Sequence, residues 1–340
     1  MGMIGKVFVF VLIGFVALIY QATRPPPPKT AGSPGGPLVT SKRVILRDGR
    51  HLAYKEYGLS KENAKHKIVF NHPFGSTKND MFFLSQEFVE ELGVYLVSFD
   101  RPGYGESDPD PRRTPETLAL DIEDLADQLG LGQRFFVVGF SMGGQCVWGC
   151  LKYIPHRLAG AALVAPVINY WWPGFPPNMS RKAYDQQPVG DQWALRIAHY
   201  TPWLTYWFNT QKWFPSSSVI SGNPSLLSPQ DIEILKHVTE EKSTQATQQG
   251  EHESIHRDMN VGFGKWAFDP MDLEDSFSSS GASVHLWQGD DDKIIPLALQ
   301  RYIAERLSWI RYHEVPGAGH LLPFGFGMGE TILRSLLSLN

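Results

Sequence analysis

The order of apolar and polar positions divides the chain into segments of unlike character. From Val7 to Tyr20 every residue is apolar or small. With Met3 to Gly5 and a snorkelling Lys6, the run approaches the ~20 residues that cross a bilayer. A stretch with no polar face predicts a helix over residues 1–22 that stands outside any globular core. Residues 23–40 then carry Pro25 to Pro28 and Gly32 to Pro37, a composition that cannot pack regularly and predicts a flexible tether. Val44 to Tyr54 reads as two strands around Asp48-Gly49, an opening hairpin. Further strands are expected at Lys67 to Phe70, Phe135 to Val138, Val284 to Gln288 and the alternating Ile310 to Val315. Helical patterns lie at Asp121 to Asp127 and Gln145 to Leu151. Residues 171–280 interrupt this α/β alternation. They concentrate aromatic rings at Tyr170-Trp171-Trp172, Trp193, Tyr200, Trp203, Tyr206-Trp207-Phe208 and Trp213-Phe214, followed by a polar stretch from Thr239 to Glu253.

Chemistry first shows at Gly139-Phe140-Ser141-Met142-Gly143, a Gly-X-Ser-X-Gly between a predicted strand and a predicted helix. A sharp strand-to-helix turn admits only small residues beside the serine, because a Cβ there would strike the neighbouring strand or helix. Ser141 is thereby pushed into a cleft, with the N–H of Met142 at the helix N-terminus placed to face a developing negative charge. A serine hydroxyl needs a base, and the base needs an orienting acid. The strand from Val284 opens into Gly289-Asp290-Asp291-Asp292, three candidate carboxylates of which Asp292 is chosen. The strand ending at Val315 delivers Pro316-Gly317-Ala318-Gly319-His320, a glycine-hinged loop that presents His320 as base.

The order Ser141, Asp292, His320, together with Val97 to Asp108 as the loop after a fourth strand and Gly289 to Pro296 as an acid loop, resembles the α/β-hydrolase superfamily. The resemblance covers residues 41–170 and 281–340. It implies an α/β-hydrolase fold, a mostly parallel sheet flanked by helices, with residues 171–280 as an inserted helical cap. It also implies a serine hydrolase that forms an acyl-enzyme from a carboxylic ester or thioester with an apolar portion. The second oxyanion donor is expected after the third strand, at Asn71-His72-Pro73-Phe74. Relatives usually read His-Gly there; Pro73 has no N–H, so the donor is assigned to Phe74, and His72 is expected to brace the loop. A serine at the elbow argues against the branches that use aspartate there. Cleavage of peptides or amides, as in proline-iminopeptidase-like relatives, and ligand perception by a hydrolase-fold receptor are the alternatives. The cap aromatics have two readings: core, or the lining of an apolar slot or a membrane-facing surface.

Composition narrows the partners. The chain has 340 residues, 31 basic and 35 acidic, with a formal charge of −4. No basic face invites nucleic acid. The acidic run Asp121 to Asp127 is expected to be a solvated helix face. Cys146 and Cys150, four apart on one helix, are poorly placed for a disulfide and are expected in the core. No metal-ligand spacing or phosphate loop is present in the sequence, and no cofactor is expected. The expected partners are a small ester or lipid-like substrate and, through residues 1–22, a membrane. Tyr20-Gln21-Ala22 offers a bulky ring where a signal peptidase prefers a small side chain, which favours an uncleaved signal anchor, single-pass in an endomembrane, over a secreted chain. Lys6 on one side and Arg24 and Lys29 on the other leave the orientation open.

Overall fold

The strands form because their apolar residues supply two cores at once. In Phe135–Phe140, Phe135 and Val137 enter one cluster while Phe136, Val138 and Phe140 enter another on the opposite face. The computed structural model describes residues 2–236, 243–277 and 281–337. Eight strands make one sheet: β1 Lys42–Ile45, β2 His51–Gly58, β3 His66–Asn71, β4 Val94–Phe99, β5 Phe135–Phe140, β6 Leu158–Val164, β7 Val284–Gly289 and β8 Ile310–Val315. Their spatial order is β1-β2-β4-β3-β5-β6-β7-β8. β1 and β2 pair antiparallel, and β2 joins β4 antiparallel; every later pairing is parallel. The expected hairpin and parallel core are therefore both present.

The helices in chain order are α1 Met3–Thr23, α2 Gln86–Leu92, α3 Pro115–Gln128, α4 Gly143–Tyr153, α5 Pro177–Asp185, α6 Val189–Tyr200, α7 Thr205–Thr210, α8 Pro229–Leu235, α9 Ser243–Ala246, α10 Arg257–Phe263, α11 Leu297–Arg306 and α12 Met328–Leu337. α3, α4 and α11 cover one face of the sheet, and α2 and α12 the other. α5 to α10 form the inserted cap. Of the span 171–280 assigned to it, residues 237–242 and 278–280 lie outside the described residues.

Three expectations change in detail. Residues 23–40 do not hang free. Gln249 accepts from the N–H of Ala31 through Oε1 and from the N–H of Lys29 through its carbonyl, while its amide donates to the carbonyls of Gly105 and Ser107. Glu106 accepts from the N–H groups of Thr40 and Ser41. Proline supplies no regular ladder, but side chains of the core loop and the cap bind the segment instead. The acidic face of α3 is a docking face as well as a solvated one: Arg50 grips the buried Asp121, and Arg47 grips Asp124. Both arginines flank the Asp48-Gly49 turn, so these pairs tie the hairpin to α3. The cap aromatics divide between the two readings. Tyr170, Trp172 and Phe208 are buried, whereas Trp193, Tyr200, Trp203, Trp213 and Phe214 are exposed. Cys146 and Cys150 are buried free thiols, as expected.

Candidate active site

The loops that carry the sequence's candidate residues all leave the carboxyl ends of parallel strands, where an open α/β sheet places its crevice. Ser141 follows β5 and has φ 54°, a left-handed conformation unusual for a residue with a side chain. The small neighbours are required by contact. A Cβ on Gly139 would lie 2.2 Å from the Gly143 carbonyl oxygen, and one on Gly143 would lie 2.1 Å from that of Asn71. The turn is held by the Ser141 N–H donating to the Val164 carbonyl at 2.9 Å.

His320, beyond β8, brings Nε2 to 2.9 Å from Ser141 Oγ. Its Nδ1 lies 2.9 Å from Asp292 Oδ2. Because the carboxylate can only accept, Nδ1 carries the proton and Nε2 accepts from the serine hydroxyl. Burial pushes the imidazole toward its neutral form, but the charge and hydrogen bond of Asp292, with a smaller contribution from Asp231, reverse this and raise its pKa above 6.5. Burial would raise Asp292, and the same partner holds it below the ordinary aspartate value. Asp292 Oδ1 also accepts from the N–H groups of Ile294 and Ile295, and Gln288 donates to Oδ2 at 2.9 Å. Of the other two carboxylates, Asp290 accepts from the Gly317 N–H and Asp291 pairs with Lys293. The geometry thus joins Ser141, His320 and Asp292 and leaves Asp290 and Asp291 outside.

Phe74 and Met142 both line the cavity above Ser141. Among the described residues neither main-chain N–H meets an acceptor. His72 is a brace: Nδ1 donates to the Pro73 carbonyl at 2.8 Å, and Nε2 accepts from the Arg101 N–H at 3.1 Å. Complete burial, and then the positive charge of Arg101, push its pKa well below 6.5, which fits a neutral ring. Lys78, further along the same turn, is tied to Asp100 through both its N–H and its ammonium.

The cavity has a volume of about 300 Å³ and is walled mainly by apolar side chains, including Phe74, Phe140, Leu195, Val219, Phe263 and Phe324. Of the cap rings singled out from the sequence, Tyr170 lines it; Trp171 and Trp207 do not. Trp171 instead stacks on His199 at 4.3 Å between ring centres.

Two cap carboxylates that the sequence did not single out hold this arrangement. Asp231, on α8, accepts from the N–H groups of His320 and Leu321, and neighbouring Gln230 accepts from that of Gly319. The approach requires Gly319, whose Cβ would lie 2.2 Å from Asp231 Oδ2. Asp258, on α10, binds Arg101, Arg113 and Tyr104 of the core. Ser228-Pro229-Gln230-Asp231 does read as a helix start, with Ser228 and Asp231 forming a capping box. That local signal says nothing of a partner 89 positions away in the sequence.

Known proteins share this architecture. The chain is similar to Protein ABHD14A of Mus musculus, 25% identical over 155 residues, which are 45% of this chain and 63% of that protein, so it spans under two thirds of the relative's length. Among solved structures it is similar to the esterase RhEst1 from Rhodococcus sp. ECU1013, with a TM-score of 0.58 and 16% identity over 89% of this chain and all of that one. It is likewise similar to the esterase EaEST from Exiguobacterium antarcticum, with a TM-score of 0.58 and 19% identity over 88% of this chain and all of that one. At these identities the likeness to the two structures concerns the fold. A family model described as the alpha/beta hydrolase family matches residues 68–328, which hold the parallel sheet, the elbow serine and the loops of Asp292 and His320; this chain belongs to that family.

Proposed function

We propose that the protein is a membrane-tethered serine hydrolase that cleaves a carboxylic ester, or a thioester, with an apolar portion. Ser141 Oγ attacks the carbonyl carbon as His320 Nε2 takes its proton, and Asp292 stabilises the imidazolium. The N–H groups of Phe74 and Met142 receive the oxyanion. Collapse of the tetrahedral species breaks the ester bond, and His320 returns the proton to the leaving oxygen. Water then attacks the acyl-enzyme, His320 again takes the proton, and the free acid leaves while Ser141 is regenerated.

The observation that carries the reading is the hydrogen-bonded series Ser141, His320, Asp292, with both links at 2.9 Å, at the wall of an apolar cavity. An apolar wall favours an apolar acyl or alcohol group. RhEst1 and EaEST, whose fold this chain shares, are esterases, which supports an ester over an amide. For the tether, residues Gly5–Thr23 of α1 have a mean hydropathy of 2.0; residues 6–22 are exposed, and Thr23 at the end of the helix is buried. This supports a single-pass signal anchor.

The test is turnover of short p-nitrophenyl esters by purified protein. Ser141→Ala should lower it by roughly 10⁴ to 10⁶-fold with an unchanged melting temperature. Retention of a tenth of the activity would remove the serine from the mechanism.

A further inference from the structure

The outer surface of the cap is apolar where a water-facing surface would be charged. On α6, Trp193, Arg196 and Tyr200 follow helical spacing along one exposed face, while Asp191 and Leu195 of the same helix line the cavity. The exposed ridge continues through Trp203 to Trp213 and Phe214, which are 59%, 77% and 59% exposed. The Trp207 ring bridges to Trp213, with 6.2 Å between ring centres. From Gln186 to Gly222 the exposed charges are Arg196 and Lys212, both basic; the one acid, Asp191, is buried. Large rings with a polar edge, interspersed with basic residues, are the composition of a surface that rests at the boundary of headgroups and acyl chains.

A second observation says what covers this ridge. The end of the apolar helix α1, where Thr23 is buried, lies close to α7, the short helix between Trp203 and Trp213, while residues 6–22 stay exposed. A helix able to cross a bilayer is therefore continuous with the aromatic ridge, and the docked segment at residues 29–41 restricts how far the domain can swing from it.

We infer that Trp193, Tyr200, Trp203, Trp213 and Phe214 form a bilayer-docking face, so that the cap lies in the membrane interface and the cavity behind α6 takes its ester from the lipid phase. The inference rests on the serine-hydrolase reading only for the substrate. The docking face itself stands on exposure, composition and the contact with α1. Arg196 and Lys212 add attraction to anionic headgroups, each about fivefold in affinity.

All tryptophans lie outside α1, so tryptophan emission of the full chain reports the globular part alone. The full chain is reconstituted into phosphatidylcholine vesicles whose acyl chains carry bromine near the headgroup. Emission should be quenched, and in the double variant Trp203→Ser, Trp213→Ser most of that quenching should vanish. Carbonate extraction of the same samples reads α1 separately. The ratio of turnover of a vesicle-resident ester to that of a water-soluble one should fall about tenfold in the double variant. Quenching absent from the wild type, or equal in wild type and variant, would overturn the docking face while leaving the hydrolase reading in place. Self-association in detergent that the same substitutions abolish would assign the ridge to a second copy of the chain and overturn it too. Quenching by shallow bromines without turnover of any ester would keep the face and sink the hydrolase.

Discussion

Asp231→Asn removes one negative charge beneath the His320 loop and preserves the side chain's shape. In the wild type the carboxylate is fully buried. Oδ2 accepts from the N–H of Ser228 at 2.9 Å and of His320 at 3.1 Å, and Oδ1 accepts from the N–H of Leu321 at 2.7 Å. An amide has one acceptor oxygen, so either orientation sets its NH₂ against a main-chain N–H. One or two charge-assisted hydrogen bonds are lost, at roughly 1.5–3 kcal/mol each, for an expected total of about 3 kcal/mol. The melting temperature should fall by about 4–5 °C for a chain of this length. Displacement of the imidazole should lower kcat by at least about tenfold. The distinguishing readout is pH. Asp231 is one of the groups that raise the His320 pKa against burial, and the base works only when neutral. Removing the charge lowers that pKa, so the acid limb of kcat/KM must move to lower pH even as the plateau drops. Turnover of a p-nitrophenyl ester across the titration range of histidine, with melting curves on the same samples, measures both. An acid limb that stays in place, with unchanged stability, would refute the coupling of α8 to His320.

Asp292→Asn should lower turnover by roughly 10⁴-fold and shift the acid limb below its wild-type position, because the main source of the raised His320 pKa is gone. Asp290→Asn, which keeps an acceptor for the Gly317 N–H, should cost less than a few fold; equal losses at the two positions would move the acid assignment. Gly139→Ala forces its Cβ to within 2.2 Å of the Gly143 carbonyl oxygen and should destabilise the protein by about 4 kcal/mol or more, read as lost soluble expression or a collapsed melting temperature. Deleting residues 1–22 should leave the melting temperature of the globular part unchanged, whereas deleting residues 1–40 should lower it, since the bonds of Lys29 and Ala31 to Gln249 and of Thr40 to Glu106 are lost. Identical melting curves for the two deletions would show that the segment is a free tether after all.

The elbow and the two loops were legible because each is local: a strand, a turn of fixed residue types and a candidate side chain all fall within about ten consecutive positions. The φ of 54° at Ser141 and the contacts of Gly139 and Gly143 are what that local pattern encodes. Choosing Asp292 over Asp290 and Asp291 rested on the resemblance; in the fold the Ile294 and Ile295 N–H groups bind its Oδ1, and its Oδ2 lies 2.9 Å from His320 Nδ1. The cap's part was not legible. Asp231 meets the His320 N–H across 89 positions, and Asp258 meets Tyr104 across 154, with no motif at either end. The Pro/Gly-rich segment was misjudged for a related reason: composition rules out a regular ladder but not side-chain anchoring by Gln249 and Glu106. Trp171 and Trp207 show the remaining limit, since a ring's presence in the cap does not say whether its helix turns it to the cavity, the core or the outside.

The central claim is that Ser141 is a nucleophile activated by His320. Mass spectrometry of the intact protein after treatment with a fluorophosphonate tests it most directly, because the reagent is attacked only by an activated hydroxyl. The account predicts one adduct per chain, mapped to the peptide containing Ser141, absent from Ser141→Ala and formed much more slowly in His320→Ala. A folded protein that takes no adduct, or that carries it on another residue, would contradict it.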